Sequence, residues 1–225
     1  MGYLGYKPAD KPLTSADITD SIITSAKITD GTIANADINS SAAIALSKLS
    51  TTGTASASNY LRGDGVWSTI SAGITEADQW RISANHTITS AGEYVTANWE
   101  RVDTDGFALL GTGMTQSSGV FTFPSTGYYL IILNANFLFN TQENATFKLE
   151  TTINNSTYSE AARSGEASAS GYFANASSSF IFDVTSTANC KVKFSTACGS
   201  SGNQTLNGTT DYNNTHVTFI KLGET

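Results

Sequence analysis

The sequence predicts an all-β protein with two parts, a short N-terminal stalk of β-repeats and a larger sandwich or jelly roll. Three observations support this fold class. Aliphatic residues recur at every fifth position before residue 50, and apolar and polar residues alternate from residue 74 onward. Only 14% of the residues are charged, against roughly 25% in an ordinary soluble domain, whereas 40% are hydrophobic and 10% aromatic, enough to build a core.

The composition excludes several classes of protein. The net charge is −7, so a basic face for nucleic acid is not expected. Nineteen glycines and three prolines are too few for a collagen stalk, and a charged coiled coil needs more Glu and Lys. The longest apolar run, residues 128–133, is far shorter than the ~20 residues of a membrane helix, and the N-terminus does not read as a secretory signal. We therefore expect neither nucleic-acid binding nor membrane insertion.

The first fifty residues carry a repeat with a period of ten. Residues 13–18, 23–28 and 33–38 read LTSADI, ITSAKI and IANADI, and a weaker copy follows at 44–49. A spacing of five steps about 140° around an α-helix and alternates between the faces of a strand, so neither element gains an apolar stripe. We expect short extended pieces separated by turns, which need partner chains to form a core. The alternative is a disordered Ser/Thr/Ala linker.

Residues 51–73 read as a Gly/Ser/Thr linker with an anchored middle. Tyr60, Leu61, Val66 and Trp67 are large enough to pack, and the glycines around Asp64 favour a tight turn between them. After this linker, residues 75–80 are compatible with a single helical turn capped by Thr75.

The strongest strand signal lies in residues 127–139. One face is wholly apolar and is expected to line the core: Tyr129, Ile131, Leu133, Ala135, Phe137 and Phe139. The opposite face is half apolar, with Tyr128, Leu130, Ile132 and Leu138 beside Asn134 and Asn136. A solvated face needs fewer apolar residues, so this pattern indicates contact with another subunit. Further strands are predicted around Phe147, Leu149 and Ile153, and at residues 180–184, 190–194 and 216–222.

The two cysteines, Cys190 and Cys198, are eight residues apart. An extended chain separates them by about 26 Å, far beyond bridging distance. A disulfide therefore requires the chain to reverse between them; otherwise they are two buried thiols.

Two segments of the head resemble C1q-like domains. Residues 119–130, GVFTFPSTGYYL, resemble the family's central motif, and residues 216–223, HVTFIKLG, are similar to its last strand. The resemblance implies a C1q/TNF-like jelly roll that forms trimers. It assigns the core and trimer motif to Phe121, Phe123, Gly127, Tyr128, Tyr129 and Phe219. Complement-type members carry a collagen stalk, which this chain lacks.

Other segments resemble virion proteins of bacteriophages. Residues 28–38 and 60–67 look like the repeats and pre-head linker of phage tail fibres. Residues 78–81 and 99–106 are similar to C1q-like heads of marine and cyanobacterial phages. This resemblance implies a virion attachment segment at residues 1–12, a stalk at 13–50, a linker at 51–73 and a head at 74–225. It also implies assembly in the reducing cytoplasm of a bacterial host.

No motif for catalysis or metal binding emerges. His86 and His216 have no ligand-spaced partners. Residues 103–106, DTDG, look like part of a calcium loop, but the glycine is fourth instead of sixth, so a turn is the better interpretation. Paired carboxylates for glycan hydrolysis are not favoured by any feature, although distant partners leave that chemistry open. We expect no catalytic residue, no metal ligand and no cofactor.

Two Ser/Asn/Gly-rich stretches, residues 154–175 and 199–214, are expected to be loops. Isolated aromatics in such loops suit adaptable polar recognition, including stacking on sugars. The candidate receptor contacts are Tyr158, Arg163, Tyr172, Phe173 and Tyr212.

These patterns predict a non-enzymatic, homotrimeric phage fibre protein. Its N-terminus would bind tail, baseplate or capsid proteins, and its head would attach to a host-surface glycan or protein. The alternatives are a capsid head fibre or decoration protein without a receptor role, a glycan-depolymerising tailspike and a secreted bacterial adhesin.

Overall fold

A computed structural model describes residues 14–45, 48, 50–69, 73–90, 92–199 and 203–225. The chain divides into two units, residues 1–70 and 71–225. The predicted attachment segment, residues 1–12, lies outside the described residues. No described helix has the length and apolar character needed to cross a bilayer.

The repeats of the first unit form one short 3-10 helix each: Ser15–Asp17, Ser25–Lys27 and Asn35–Asp37. The carboxylate of Asp17 accepts hydrogen bonds from the backbone N–H of Thr14 (2.8 Å) and from its hydroxyl (2.6 Å). Asp37 accepts in the same way from the N–H of Ala34 (2.8 Å). The two bonds from Thr14 lower the pKa of Asp17. In the first and third repeats the Asp therefore closes its own turn, whereas the second repeat has Lys27 at this position.

The structure differs from the predicted β-repeats in one respect. Extended residues such as Thr24 and Ile28 flank the 3-10 helices, but no strand pairing occurs among the residues described between 14 and 45. Local side-chain bonds favour the turns, and the described part of this segment presents no neighbouring strand to pair with. Every side chain in residues 16–45 is exposed, and the isoleucines are 39–56% exposed: Ile18, Ile22, Ile23, Ile28, Ile33, Ile38 and Ile44.

The predicted anchored middle of the linker is a β-hairpin. Strand β1, Asn59–Leu61, pairs antiparallel with β2, Trp67–Thr69. The turn is closed by a hydrogen bond from the N–H of Gly65 to the carbonyl of Arg62 (3.0 Å). Leu61 and Trp67 are half-buried, whereas Tyr60 stays 48% exposed.

The second unit is built from the remaining described strands. In chain order they are β3 Ala77–Ile82, β4 His86–Ile88, β5 Glu93–Tyr94, β6 Trp99–Arg101, β7 Thr115–Ser117, β8 Val120–Thr122, β9 Gly127–Leu138, β10 Glu143–Thr152, β11 Ser159–Ser168, β12 Phe173–Val184, β13 Lys191–Cys198, β14 Gln204–Leu206 and β15 His216–Gly223.

These strands form two antiparallel sheets that face each other across one core. The smaller sheet has the order β11-β10-β13-β8-β7, with β5 also paired to β13. The larger sheet has the order β4-β14-β9-β15-β3-β6, and β12 pairs with β9 along its whole length. Because β12 covers one edge of β9, β15 and β14 share the other edge. This is the predicted sandwich.

The strand prediction for residues 127–139 is confirmed. The predicted core face is buried: the six side chains at alternate positions from Tyr129 to Phe139 are each at most 2% exposed. Facing it, Phe121 meets the rings of Trp99, Phe194 and Phe219 at centroid distances of 5.0–5.5 Å. The aromatic residues of the two sheets thus form one continuous core.

Four predictions about secondary structure are wrong. Residues 199–214 are not entirely a loop, because β14 occupies Gln204–Leu206. Residues 75–80 form no helical turn, since β3 begins at Ala77 and pairs with β15. Residues 154–175 are not a loop, because β11 occupies Ser159–Ser168. Ile153 lies beyond the end of β10 and is 71% exposed. In each case tertiary pairing decides the local structure.

The two short stretches that resemble phage heads pair with each other. Trp80 of β3 lies opposite Arg101 of β6, and Arg81 lies opposite Glu100. Asp78 is 3% exposed and accepts bonds from Arg101 Nε (3.0 Å) and Trp80 Nε1 (2.8 Å). A buried carboxylate is stable only with such partners, so these residues form a structural network.

The segment at residues 103–106 belongs to the same network. The guanidinium of Arg81, which is fully buried, pairs with the carboxylates of Glu100 (3.3 Å) and Asp103. The N–H of Phe107 donates to the carbonyl of Thr104 (2.9 Å), and Gly106 has φ +90°. The segment is a turn, as predicted, with one of its carboxylates directed to an arginine.

Gly127 shows why the Gly-Tyr-Tyr sequence begins with glycine. Its φ is +139°, and a Cβ would lie 2.4 Å from Lys221 Cε and 2.5 Å from the carbonyl oxygen of Gly223. A larger residue would displace the end of β15, so glycine is required where β9 begins.

The cysteines lie at the two ends of β13. Cys190 is buried immediately before the strand, and the thiol of Cys198 donates to the carbonyl of Ile88 (3.5 Å). The chain does not reverse between them, so they are not bonded to each other.

Candidate interaction surfaces

The outer face of the larger sheet is apolar at one end. We define it by the outward residues of β9 and their neighbours in β12 and β15. Ile181, Leu130 and Ile220 lie side by side across the three strands, followed by Ser179, Ile132 and Thr218. Ile181 is 57% exposed, and Tyr128, which precedes this row, is 42% exposed. An apolar row in the middle of a sheet face indicates a protein partner.

Small residues of β12 form a groove in this face. The groove has a volume of about 350 Å³ and is lined by Leu130, Ile132 and Asn134 on β9 and by Ser177, Ser178 and Ser179 on β12. The side chain of Ser179 is much shorter than that of Ile132 opposite it, so the surface is concave here. The groove can receive side chains from a partner.

The other end of the face is polar. Asn134 lies opposite His216, and their side-chain nitrogens are 3.2 Å apart. An adjoining cleft of about 330 Å³ is lined by these residues together with Asn175 and Asn213. Burial lowers the pKa of His216, partly offset by a hydrogen bond to the backbone of Asn214. We expect a neutral imidazole at pH 7.

This lowered pKa predicts acid destabilisation. The unfolded histidine binds its proton at about pH 6.5, whereas the folded one binds it at lower pH. The free energy of unfolding should therefore be constant above pH 7 and should fall as pH drops through 6.5. His216→Gln should flatten this dependence between pH 7.5 and 5.5 in thermal denaturation. Burial also lowers the pKa of His86, so this residue should destabilise the protein in the same pH range. The stability of the double variant should therefore depend even less on pH. If His216→Gln left the pH dependence of stability unchanged, the prediction would be contradicted.

The structure distributes the predicted receptor contacts over several places. Tyr158 lies just before β11, and Arg163 lies within it, paired with Glu160. Tyr172 and Phe173 sit at the junction of β11 and β12 and are 65% and 64% exposed. Tyr212 is 60% exposed in the segment between β14 and β15. All five remain predictions, but Arg163 and Phe173 belong to strands and not to loops.

The predicted core and trimer motif divides between the core and the surface. Phe121, Phe123, Tyr129 and Phe219 are at most 2% exposed. The hydroxyl of Tyr129 lies 3.0 Å from Ser125 Oγ, and burial raises its pKa. Tyr128 instead points to the outer face. Among the residues of this motif, Tyr128 is the one whose side chain is exposed, at 42%.

Sequence reasoning missed a second cluster, on the outer face of the smaller sheet. Tyr94, Glu150, Lys193 and Ser195 come together from three strands, and Tyr158 packs beside them. The strand alternation could have placed Glu150 and Lys193 on outward faces, but no sequence signal joins them to Tyr94.

Solved structures with similar folds are TNF-like and C1q-like proteins. The chain aligns with Eiger TNF from S. frugiperda at a TM-score of 0.52 and 10% identity, covering 68% of this chain and 96% of that chain. Murine APRIL at pH 5.0 gives 0.47 and 15%, covering 65% and 98%. The globular domain of the zebrafish complement 1qA protein gives 0.41 and 13%, covering 66% and 96%. Neither a protein-family profile nor a curated protein matches the sequence. The likeness to the Eiger TNF structure confirms the predicted jelly-roll fold.

Proposed function

We propose that this chain is the subunit of a homotrimeric, non-enzymatic fibre of a bacteriophage virion, with the jelly-roll head displayed for attachment to the host surface. The observation that carries the proposal is the apolar row Ile181–Leu130–Ile220 with its neighbouring groove, which a single chain leaves in contact with water. Jelly rolls of this fold are often trimeric and used for binding.

The first unit gives independent support for association. Its isoleucines are half-exposed, and residues 16–45 bury no side chain. Complete burial of an isoleucine contributes roughly 1.5–3 kcal/mol, so covering these residues with two further copies supplies a core that one chain lacks. We propose that the stalk forms only in the assembled fibre, and that the head trimer fixes the register of its strands.

The phage assignment rests on the sequence resemblance of residues 28–38 and 60–67, together with the paired stretches of β3 and β6. In this proposal residues 1–12 bind other virion proteins, and three heads give avidity for a glycan or protein receptor. Cryo-electron microscopy of the particle tests the location. Density for the fibre on the tail supports the proposal, whereas a capsid location favours a head fibre or decoration role.

The proposal also predicts the mass in solution. Sedimentation equilibrium should give three times 23.7 kDa, about 71 kDa. A chain lacking residues 1–73 should remain trimeric, because the apolar row lies within the second unit. A monomer in both experiments would contradict the proposal, and release of oligosaccharides from host polysaccharide would show an enzyme instead.

A further inference from the structure

The outer face of the smaller sheet carries a cleft of about 240 Å³. Its functional lining consists of Glu93 and Tyr94 of β5, Lys148 and Glu150 of β10, and Ser195 of β13. This volume is below the 300–1,000 Å³ of pockets for drug-sized ligands. The cleft suits one small polar ring of a ligand, with the rest of the ligand extending into solvent.

The register of the sheet explains why these residues meet. Lys148 of β10 lies opposite Ser195 of β13, and Ser195 lies opposite Tyr94 of β5. Glu150 lies opposite Lys193 in the next outward row. Because side chains alternate along a strand, these residues share the outer face, whereas Phe147, Leu149 and Phe194 face the core.

Hydrogen bonds hold the cleft's side chains in place. The hydroxyl of Tyr94 donates to Glu150 Oε2 (2.6 Å), and Ser195 donates to Glu150 Oε1 (2.5 Å). The bond to Glu150 raises the pKa of Tyr94 to about 12, so its hydroxyl stays protonated. A carboxylate has about four lone-pair sites, so Glu150 can accept further bonds from a ligand.

Tyr94 is supported from outside the cleft. The ammonium of Lys193 lies 4.8 Å from the ring centroid of Tyr94 and 4.2 Å from that of Tyr158. The two tyrosine rings pack edge to face at 6.5 Å. Neither Lys193 nor Tyr158 lines the cleft, and Tyr94 remains 39% exposed. The ring is therefore a fixed but accessible wall.

The charges of the cleft select the ligand class. Glu150 opposes an anion, and Lys148 is paired with Glu160 at 3.2 Å. Glu93, at the edge of the cleft, lies 3.8 Å from His86. A lining of carboxylates, an amine and a hydroxyl disfavours an apolar ligand. A neutral sugar matches all of these groups, because its hydroxyls donate to carboxylates and accept from Lys148, while its C–H face stacks on tyrosine.

From this arrangement we infer that the cleft binds a neutral hexose residue of a glycan. Glu150 accepts hydrogen bonds from adjacent sugar hydroxyls, and Lys148 donates one. Tyr94 packs against the ring. This inference rests on the proposed role of the head as a binding domain and names the ligand class. All lining residues come from one chain, so binding does not require the trimer.

Saturation-transfer NMR on the full chain tests the inference, with the methyl glycosides of glucose, galactose and mannose as probes. At least one should receive saturation from the protein. Tyr94→Leu and Glu150→Gln should each weaken its binding about tenfold or more, because each removes a contact to the sugar. Tyr60→Leu, at another exposed tyrosine, is the matched control and should bind as the wild type does.

Circular dichroism establishes that each variant is folded. Ser195→Ala removes a hydrogen bond that holds Glu150 in place, so this variant should also bind more weakly. Absence of transfer to all three glycosides, or unchanged binding by Tyr94→Leu, overturns the inference. So does preferential binding of methyl glucuronide, since it requires a cationic site. Sedimentation of the same samples separates the two proposals. A trimer that binds no sugar overturns only this inference, whereas a monomer that binds sugar overturns only the trimeric fibre.

Discussion

Replacing Ile132 with aspartate is expected to convert the trimer into a monomer. Ile132 lies on the outer face of β9, between Ser179 and Thr218, and lines the groove beside the apolar row. Burying three unpaired carboxylates at a shared interface costs several kcal/mol each, more than the groove's apolar contacts supply. Sedimentation should therefore show the mass falling to 23.7 kDa.

Ile153→Asp is the matched control for this variant. Ile153 is 71% exposed beyond the end of β10, away from the outer face of the larger sheet. The variant Ile153→Asp makes the same chemical change at a site outside the proposed interface, so the trimer should persist. Circular dichroism should show both variants folded. A trimer that survives Ile132→Asp would rule out this face as the interface.

Phe121→Ala should lower the free energy of unfolding by about 3–5 kcal/mol. Phe121 is fully buried, and its ring meets those of Trp80, Trp99, Phe194 and Phe219. Removing it leaves a cavity between the two sheets that surrounding rings cannot close. Because a typical domain is stable by only 5–15 kcal/mol, this loss should lower the denaturation midpoint severely. Urea unfolding monitored by tryptophan fluorescence measures it.

Phe173→Ala is the corresponding control. Its ring is 64% exposed at the start of β12, so the same truncation should change stability by less than about 0.5 kcal/mol. Comparable losses in the two variants would show that Phe121 is not the centre of the core.

The predictability of the fold follows from the alternation within single strands. The apolar face of β9 was evident because every second residue from Tyr129 to Phe139 is apolar, and that face is buried. By contrast, β11 was predicted as a loop. Its sequence, SEAARSGEAS, offers small and charged residues and only weak alternation. It becomes a strand because β10 pairs with it throughout, and this pairing is a tertiary effect.

The candidate sites show the same division. Half-apolar patterning on β9 pointed to a subunit contact from sequence alone, although the groove beside it depends on serines of β12 that only the register brings next to Leu130 and Ile132. The sugar cleft could not be predicted. Tyr94, Glu150 and Ser195 are 45 or more residues apart in sequence, and each is unremarkable in its own segment.

By itself, the sequence determined the all-β class, the ten-residue repeat, the aromatic core strand and the low charge, because these depend on composition and on periodicities within one segment. It also determined the turns of the repeat, whose Asp and Thr side chains bond locally. Only the tertiary structure decided which strands pair, where Arg81 and Asp78 are buried and which outward side chains form a cleft. Those outcomes depend on strand register across long separations, which no local pattern encodes.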